Sequence, residues 1–416
     1  MAKILIIIPG LPKKNLLSGW SGMLKNFLDE MRSHEIKIFC TSINLFQKSS
    51  SIEYFSSGKK SFYIFKRNLN IFDLLKRFTY ILRFNLPIQA AFFSPKYSND
   101  LVFRNLYKDC DYAISFTSRV IAFQDELLNA DIKKKIFKHF YMVDSLYLAF
   151  KDRAKEQKNI FKYLLYKRES LKLRYLEKKY LNKFDKITLF NIEDVHKVLN
   201  FKKNNKLHMH PLKPYLKLNE YQNITFEIKD LKFIYLLGNF KYGPNLVSLK
   251  EFINFLEINN LPLKEFLYQK NLKFNILGFM NPLDRTLLNN SLKNKKLNDC
   301  VQISNPISNY EDLKKDGLTT ISYVKTNYGR QTKDFDSLNL MLPILKYQKK
   351  GKNISLSNIY NGSSFYKTFS SHKELITHLK TLLNKKKLLI IKKDILKQMI
   401  QEIKLNNKFY ENLLDN

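Results

Sequence analysis

The sequence predicts an α/β protein made of two tandem Rossmann-like domains with an interdomain cleft. Three observations carry that expectation. Short apolar runs alternate with helical stretches twice along the chain, the order of parallel sheets covered by helices. A stretch rich in Asn and Pro interrupts the alternation near the middle. The 416 residues exceed one ordinary domain and suit two of about 200.

The first series opens with KILIII, a continuous apolar run of the kind a strand buried on both faces produces. A loop with Gly10, Pro12, Gly19 and Gly22 follows. Met23, Leu24, Phe27, Leu28 and Met31 then fall on one helical stripe. IKIFCTS, YAISFT, FKHFYMV and KITLFN read as further strands, with a long basic helical stretch, roughly 147–182, between the last two. Residues 1–203 form the expected first domain and 204–230 the linker. The second domain, 231–390, has strands at KFIYLLG, KFNILG, DCVQIS, LTTISYV and PILKY, and a helix opening on Pro244. Residues 391–416 read as a terminal, lysine-rich helix.

Apolar residues make up 44% and aromatics 14% of the chain, enough for packed cores and unlike a disordered composition. Lysine and arginine outnumber aspartate and glutamate by 72 to 37, which favours polyanionic partners: nucleic acid, anionic headgroups or phosphorylated ligands. Part of this excess goes with a general abundance of Lys, Asn, Ile, Phe and Tyr, the residues of AT-rich codons. Cys40, Cys110 and Cys300 are scattered without zinc or disulfide spacing, so no metal is expected and a reducing compartment is the simplest expectation. The first residues lack the pattern of a signal peptide, and no apolar run reaches the ~18 residues of a membrane span. The stretch 72–93 suits a basic amphipathic helix, packed on its own domain or lying on an anionic membrane surface.

In open parallel sheets, ligands bind beyond the carboxyl ends of the strands. Gly238 and Gly278 each end a strand of the second domain, where glycine permits close backbone approach. The helix beginning near Pro244 would aim its free N–H groups at the same edge, which favours a phosphate. Neither GxGxxG nor GxxxxGK[ST] is present, which removes support for hydride transfer and for a Walker-type ATPase. The stretch YGRQTKDFDSLNLMLPIL reads as loop, helix and strand. Gly329 lets the loop turn, and Arg330 and Lys333 suit a diphosphate. Asp336, one turn beyond Lys333, suits a sugar hydroxyl pair, or simply a surface ion pair at a helix start.

The chain resembles the GT-B-fold retaining glycosyltransferases of the large family four, in a subgroup that assembles bacterial surface glycans. The resemblance rests on the first strand, glycine loop and helix, on the 85–118 and YMVDSLYLAF segments, on LLGNFKYGPNLVSLKEFINF, and on GRQTKDFDSLNLMLPIL. It runs end to end, and GNFKYGPN is its most specific part. It implies a nucleotide-sugar donor on the second domain, an acceptor on the first, transfer with retention, and no bound metal or other cofactor. It places Gly238, Asn239 and Asn245 at the start of the donor domain. Lys333 and Gly329 fall at the donor diphosphate, Asp336 replaces the glutamate expected on the ribose, and Gly19 lies in the first-domain loop that meets the phosphate. Asp144 is the candidate polar group at the reaction centre. The chain departs from the pattern at Asp336, at Gln331 for arginine, at Tyr328 for the first of two glutamates, and at Asn339 and Leu342 for alanine and glycine.

His139, His208 and His210 read as packed or solvated residues rather than catalysts. The expected partners are a nucleotide-sugar, a glycan or lipid-linked acceptor and an anionic membrane surface, and the expected location is cytoplasmic, with a peripheral position on the inner face of the cell membrane open to it. No specific nucleic acid is expected, because no helix-turn-helix, RNP or zinc signature accompanies the charge. A subunit that keeps the fold and only binds is the alternative, motivated by the altered donor loop.

Overall fold

The computed structural model describes residues 1–9, 24, 27–44, 51–68, 75, 78–79, 87–88, 101–117, 119–120, 136–143, 145–155, 157, 159–189, 206–210, 217–226, 228, 230–241, 243–257, 261–305, 312–323, 332–348, 360 and 362–412. The chain divides into two compact units, Met1–His210 and a second that carries Pro211–Asn327 and Gln331–Asn416.

The first unit holds an eight-stranded sheet. Its strands are β1 (Lys3–Ile8), β2 (Glu35–Asn44), β3 (Ser51–Ser57), β4 (Lys60–Asn68), β5 (Tyr112–Phe116), β6 (Phe137–Val143), β7 (Lys186–Leu189) and β8 (Leu207–Met209). They lie in the order β3-β4-β2-β1-β5-β6-β7-β8. All pairs are parallel except β3 with β4, a hairpin whose turn uses Gly58 at φ +59°. Central strands β1 and β5 are buried almost throughout, which is why they read as continuous apolar runs. The helices are α1 (Leu101–Lys108), α2 (Leu146–Lys155) and α3 (Ile160–Leu181). The last two share the long basic stretch between β6 and β7. Buried Glu177 of α3 caps α2: it accepts from Leu146 N at 2.9 Å, Tyr147 N at 3.4 Å and Ser145 Oγ at 2.8 Å.

The second unit holds six parallel strands: β9 (Phe233–Leu237), β10 (Lys273–Leu277), β11 (Val301–Ser304), β12 (Gly317–Ser322), β13 (Ile344–Tyr347) and β14 (Tyr366–Phe369). Their order, β11-β10-β9-β12-β13-β14, is the doubly wound 3-2-1-4-5-6 arrangement. Its helices are α4 (Leu218–Gln222), α5 (Gly243–Glu257), α6 (Leu261–Gln269), α7 (Pro282–Asn294), α8 (Leu313–Asp316), α9 (Thr332–Asn339), α10 (His372–Leu383) and α11 (Lys385–Glu411). Capping side chains mark the boundary between the last two: Ser371 and Glu374 form a capping box on α10, and Asn384 Oδ1 accepts from Lys387 N on α11.

Two expectations need adjusting. The stretch 204–230, expected to be a linker, supplies β8, whose residues pair Leu207 with Ile187 and Met209 with Leu189, and the short helix α4. The terminal helix expected over 391–416 begins earlier, at Lys385, because Asn384 supplies the cap.

Candidate functional site

The strand order of the second sheet reverses between β9 and β12, and a crevice opens at such a point beyond the carboxyl ends of the strands. Gly238 follows β9, Gly278 follows β10 and Tyr323 follows β12, so all three stand at that edge. The two glycines are in contact. A Cβ on Gly278, whose φ is +155°, would lie 1.7 Å from the Gly238 carbonyl oxygen. Gly238 N donates to Leu277 O at 3.1 Å, while Phe240 N and Lys241 N both donate to Phe279 O, at 2.7 and 3.2 Å. Each glycine therefore permits the tight apposition of two strand ends.

A Cβ on Gly238 would meet Tyr323 Oη at 2.6 Å and Lys333 Nζ at 3.2 Å. Glycine is what allows these two side chains to reach the strand end. Tyr323 is buried, lies nearly parallel to Phe240 with ring centroids 6.2 Å apart, and donates its hydroxyl to Leu237 O at 3.1 Å. Lys333 Nζ lies 3.5 Å from the same hydroxyl and 5.0 Å from the ring centroid, a cation–π contact. Burial pushes the Lys333 amine down to about 7; Lys346 lowers it further, and Asp334 and Asp336 pull it back up. Lys346 is buried on β13, donates to Ser322 Oγ at 3.2 Å, and is likewise lowered by desolvation and raised by Asp334.

Helix α9 presents this lysine. Thr320 Oγ1 of β12 donates to Ser337 Oγ at 2.8 Å, and Ser337 Oγ donates to Lys333 O at 2.8 Å. Asp336 is half-buried one turn beyond Lys333. Asn339 is fully buried, gives Nδ2 to Phe335 O at 3.1 Å and accepts Tyr221 Oη–H at 2.8 Å. Leu342, the other departure at the end of this stretch, is buried in a cluster with Tyr235, Leu237 and Leu340.

Asn239 and Asn245 act on each other. Asn245 Nδ2 donates to Asn239 O at 2.9 Å, and Asn239 Oδ1 accepts from Lys241 N at 3.2 Å. The pair ties the turn after β9 to the first turn of α5, whose unsatisfied N–H groups lie at the carboxyl edge of the sheet. The structure thus brings together Gly238, Asn239, Asn245, Gly278 and Lys333, with Asp336 on the helix that carries the lysine. Gly19, Asp144, Gly329 and Arg330 lie outside the described residues. Tyr323, Phe240 and Lys346 were missed by sequence reasoning: Tyr323 and Lys346 stand in strand-like runs that carry no local mark of a site, and Phe240 sits inside GNFKYGPN, where only its packing on Tyr323 gives it meaning. Phe279 was missed too: it follows Gly278, is 49% exposed, and has Lys241 Nζ 6.0 Å from its ring centroid.

Two histidines of the first unit, His139 and His210, are packing residues. His139 is buried, its Nε2 is 2.8 Å from Thr188 Oγ1, and burial first, then Lys186, holds it well below its ordinary value and neutral. His210 is buried edge-on to Tyr141.

No protein-family model and no curated protein sequence matches the chain. Solved structures do. A UDP-forming α,α-trehalose-phosphate synthase from Burkholderia xenovorans aligns with a TM-score of 0.63 at 10% identity, over 100% of this chain and 98% of its own. The lipopolysaccharide outer core galactosyltransferase WaaB aligns at 0.54 and 10% identity, over 98% and 99%. A glycosyltransferase from Rickettsia africae aligns at 0.56 and 12% identity, over 100% and 99%. The fold common to these structures spans the whole chain, two Rossmann-like α/β domains in tandem, the GT-B arrangement.

Proposed function

We propose that this GT-B-fold chain is a glycosyltransferase that moves a sugar from a nucleotide-sugar to a growing bacterial surface glycan, such as a capsule, lipopolysaccharide or exopolysaccharide. The observation that carries this reading is the placement of Lys333 against Gly238 at the switch point of the second sheet, with Asp336 one turn further along α9. In this reading the Lys333 ammonium and the first turn of α5 hold the donor diphosphate, and Asp336 accepts hydrogen bonds from the ribose hydroxyls. The half-exposed ring of Phe279 offers a face on which the base can stack. Sugar transfer builds negative charge on the leaving diphosphate, and a cation and helix amides fixed in advance stabilise it without reorganisation. Transfer is with retention, the departing phosphate taking the acceptor proton, and needs no metal or other cofactor. The acceptor is a glycan or lipid-linked sugar at the inner face of the cell membrane.

Calorimetric titration with UDP, GDP and CMP tests the donor site. Saturable binding of one nucleotide, weakened at least about tenfold in both Lys333→Ala and Asp336→Ala, is the expected result. A folded protein that binds none of them would overturn the reading. Binding without transfer to any acceptor would favour the alternative, a subunit that has kept the site and lost the reaction.

A further inference from the structure

Helix α3 has a second apolar face. Its inner side packs Leu173, Leu176 and Leu181 into the core of the first unit. Its outer side carries Ile160, Leu164, Leu171 and Tyr175, spaced four, seven and four apart along one stripe, with Phe161 and Leu165 beside it. Phe161 is 79% exposed, Tyr175 73%, Ile160 61% and Leu171 55%. A stripe of six large side chains on one helix is a patch, unlike the singly scattered apolar residues normal on a surface.

The charges on α3 are sorted. Lys162, Lys167, Arg174, Lys178 and Lys179 are exposed. Both carboxylates of the helix, Glu169 and Glu177, are buried, Glu177 as the cap of α2 and Glu169 against Ile88 N at 2.7 Å and Arg168 at 2.5 Å. The outer face therefore carries two apolar patches, Ile160–Leu165 and Leu171 with Tyr175, separated by Arg168, which pairs with Glu169, and bordered by Lys167 and Arg174; both carboxylates of the helix are buried away from it. Lys167 Nζ lies 5.6 Å from the ring centroid of Tyr163, its stem along the helix. No described helix is long and apolar enough to cross a membrane.

We propose that α3 docks this chain on an anionic phospholipid surface, lying flat with its outer stripe among the acyl chains and its lysines and Arg174 at the headgroup phosphates. The exposed apolar patches call for hydrocarbon, and the cations between and beside them, on stems long enough to reach the surface, call for phosphate; a bilayer supplies both. A nucleic-acid backbone supplies phosphate without hydrocarbon. A second copy docked by the same face would set like charges against like. Leu75 and Phe78, in the stretch whose sequence suited a basic amphipathic helix, are exposed in the same unit, at 57% and 61%. The inference deepens the proposed function by bringing the chain to where a lipid-linked acceptor would be, but its evidence and its test do not involve the donor site.

The test is flotation of the full chain with vesicles of phosphatidylcholine alone and of phosphatidylcholine with phosphatidylglycerol. The parent is expected to float with the mixed vesicles and not with phosphatidylcholine. Phe161→Ser with Leu164→Ser, which leaves the charge intact, is expected to weaken binding at least about tenfold. Lys167→Glu with Arg174→Glu should do the same, while Lys385→Gln, Lys386→Gln and Lys387→Gln together, on the exposed start of α11, should leave binding unchanged. Equal flotation of the Phe161/Leu164 variant and the parent would overturn the proposal, since net charge alone would then explain binding. A parent dimer that the same variant converts to monomer, with no vesicle binding, would overturn it in favour of a second copy. Nucleotide titration of the Phe161/Leu164 variant should match the parent, so that failure at one site is not mistaken for failure at the other.

Discussion

At the scale of single residues, Lys333 is the informative one. Its amine titrates near 7 because burial strips water from the ammonium, and Asp334 and Asp336 offset this only in part. A bound diphosphate would restore the charge. Binding at pH 8 should therefore take up close to one proton and at pH 6 very little, measurable by calorimetry in buffers of different ionisation enthalpy. Above pH 7, affinity should fall by up to about tenfold per unit. Lys333→Met should remove both effects. The lysine also costs stability: unfolded, it holds its proton up to 10.5, so between about 7 and 10.5 the unfolded chain binds more protons and stability rises with pH. Below 7 the full penalty is present. Lys333→Met should thus raise the melting temperature, more at pH 6 than at pH 9, while abolishing nucleotide binding, the exchange expected where a site is built from a strained group. Gly278→Ala belongs to the same scale. Its Cβ would overlap a backbone oxygen that cannot swing aside, so thermal unfolding should show a loss of roughly 3 kcal/mol or more.

At the scale of elements, the polar links that hold α9 include Thr320 to Ser337 and Tyr221 to Asn339, and the second reaches it from α4. Asn339 stands where the resembled family has alanine, and Tyr221 Oη supplies the partner that makes a buried amide tolerable there. Tyr221→Phe should cost about 1–3 kcal/mol in denaturant unfolding, because it removes a buried hydrogen bond to the Asn339 carbonyl. Asn339→Ala in the same chain should recover part of that loss, and a simple sum of the two single losses would refute the coupling. These links also show where legibility stops. Strands buried on both faces announce themselves, and β1 and β6 have the bounds their apolar runs predict. β8 and β14 give no such run: β8 is three residues and β14 buries only its two ends, while the β3–β4 hairpin offers a short run, FYIF in β4, flanked by polar residues. At the candidate site, glycines at strand ends and a lysine at a helix start stand out in the sequence, and the structure sets Lys333 against Gly238. Tyr323 and Lys346 do not stand out, since their meaning comes from Gly238 and Ser322, far from them in sequence.

At the scale of the whole molecule, each unit has its own sheet and its own buried core, so each has the means to unfold as a cooperative body. Heat is therefore expected to separate two transitions in a calorimetric scan, and a single ΔG would not describe the chain. The candidate donor groups that the structure describes, Gly238, Asn245, Lys333 and Asp336, all belong to the second unit. A nucleoside diphosphate held by those groups stabilises the state that binds it by RT ln(1 + [L]/Kd), about 2.7 kcal/mol at a hundredfold excess over Kd. Only the transition of the second unit should then move, by several degrees, and Lys333→Ala should abolish the movement. Anionic vesicles without nucleotide should instead act on the first unit, which carries α3. A nucleotide that shifted both transitions alike would mean that the first unit contributes to holding the donor; one that shifted only the first would place the donor away from Lys333 altogether.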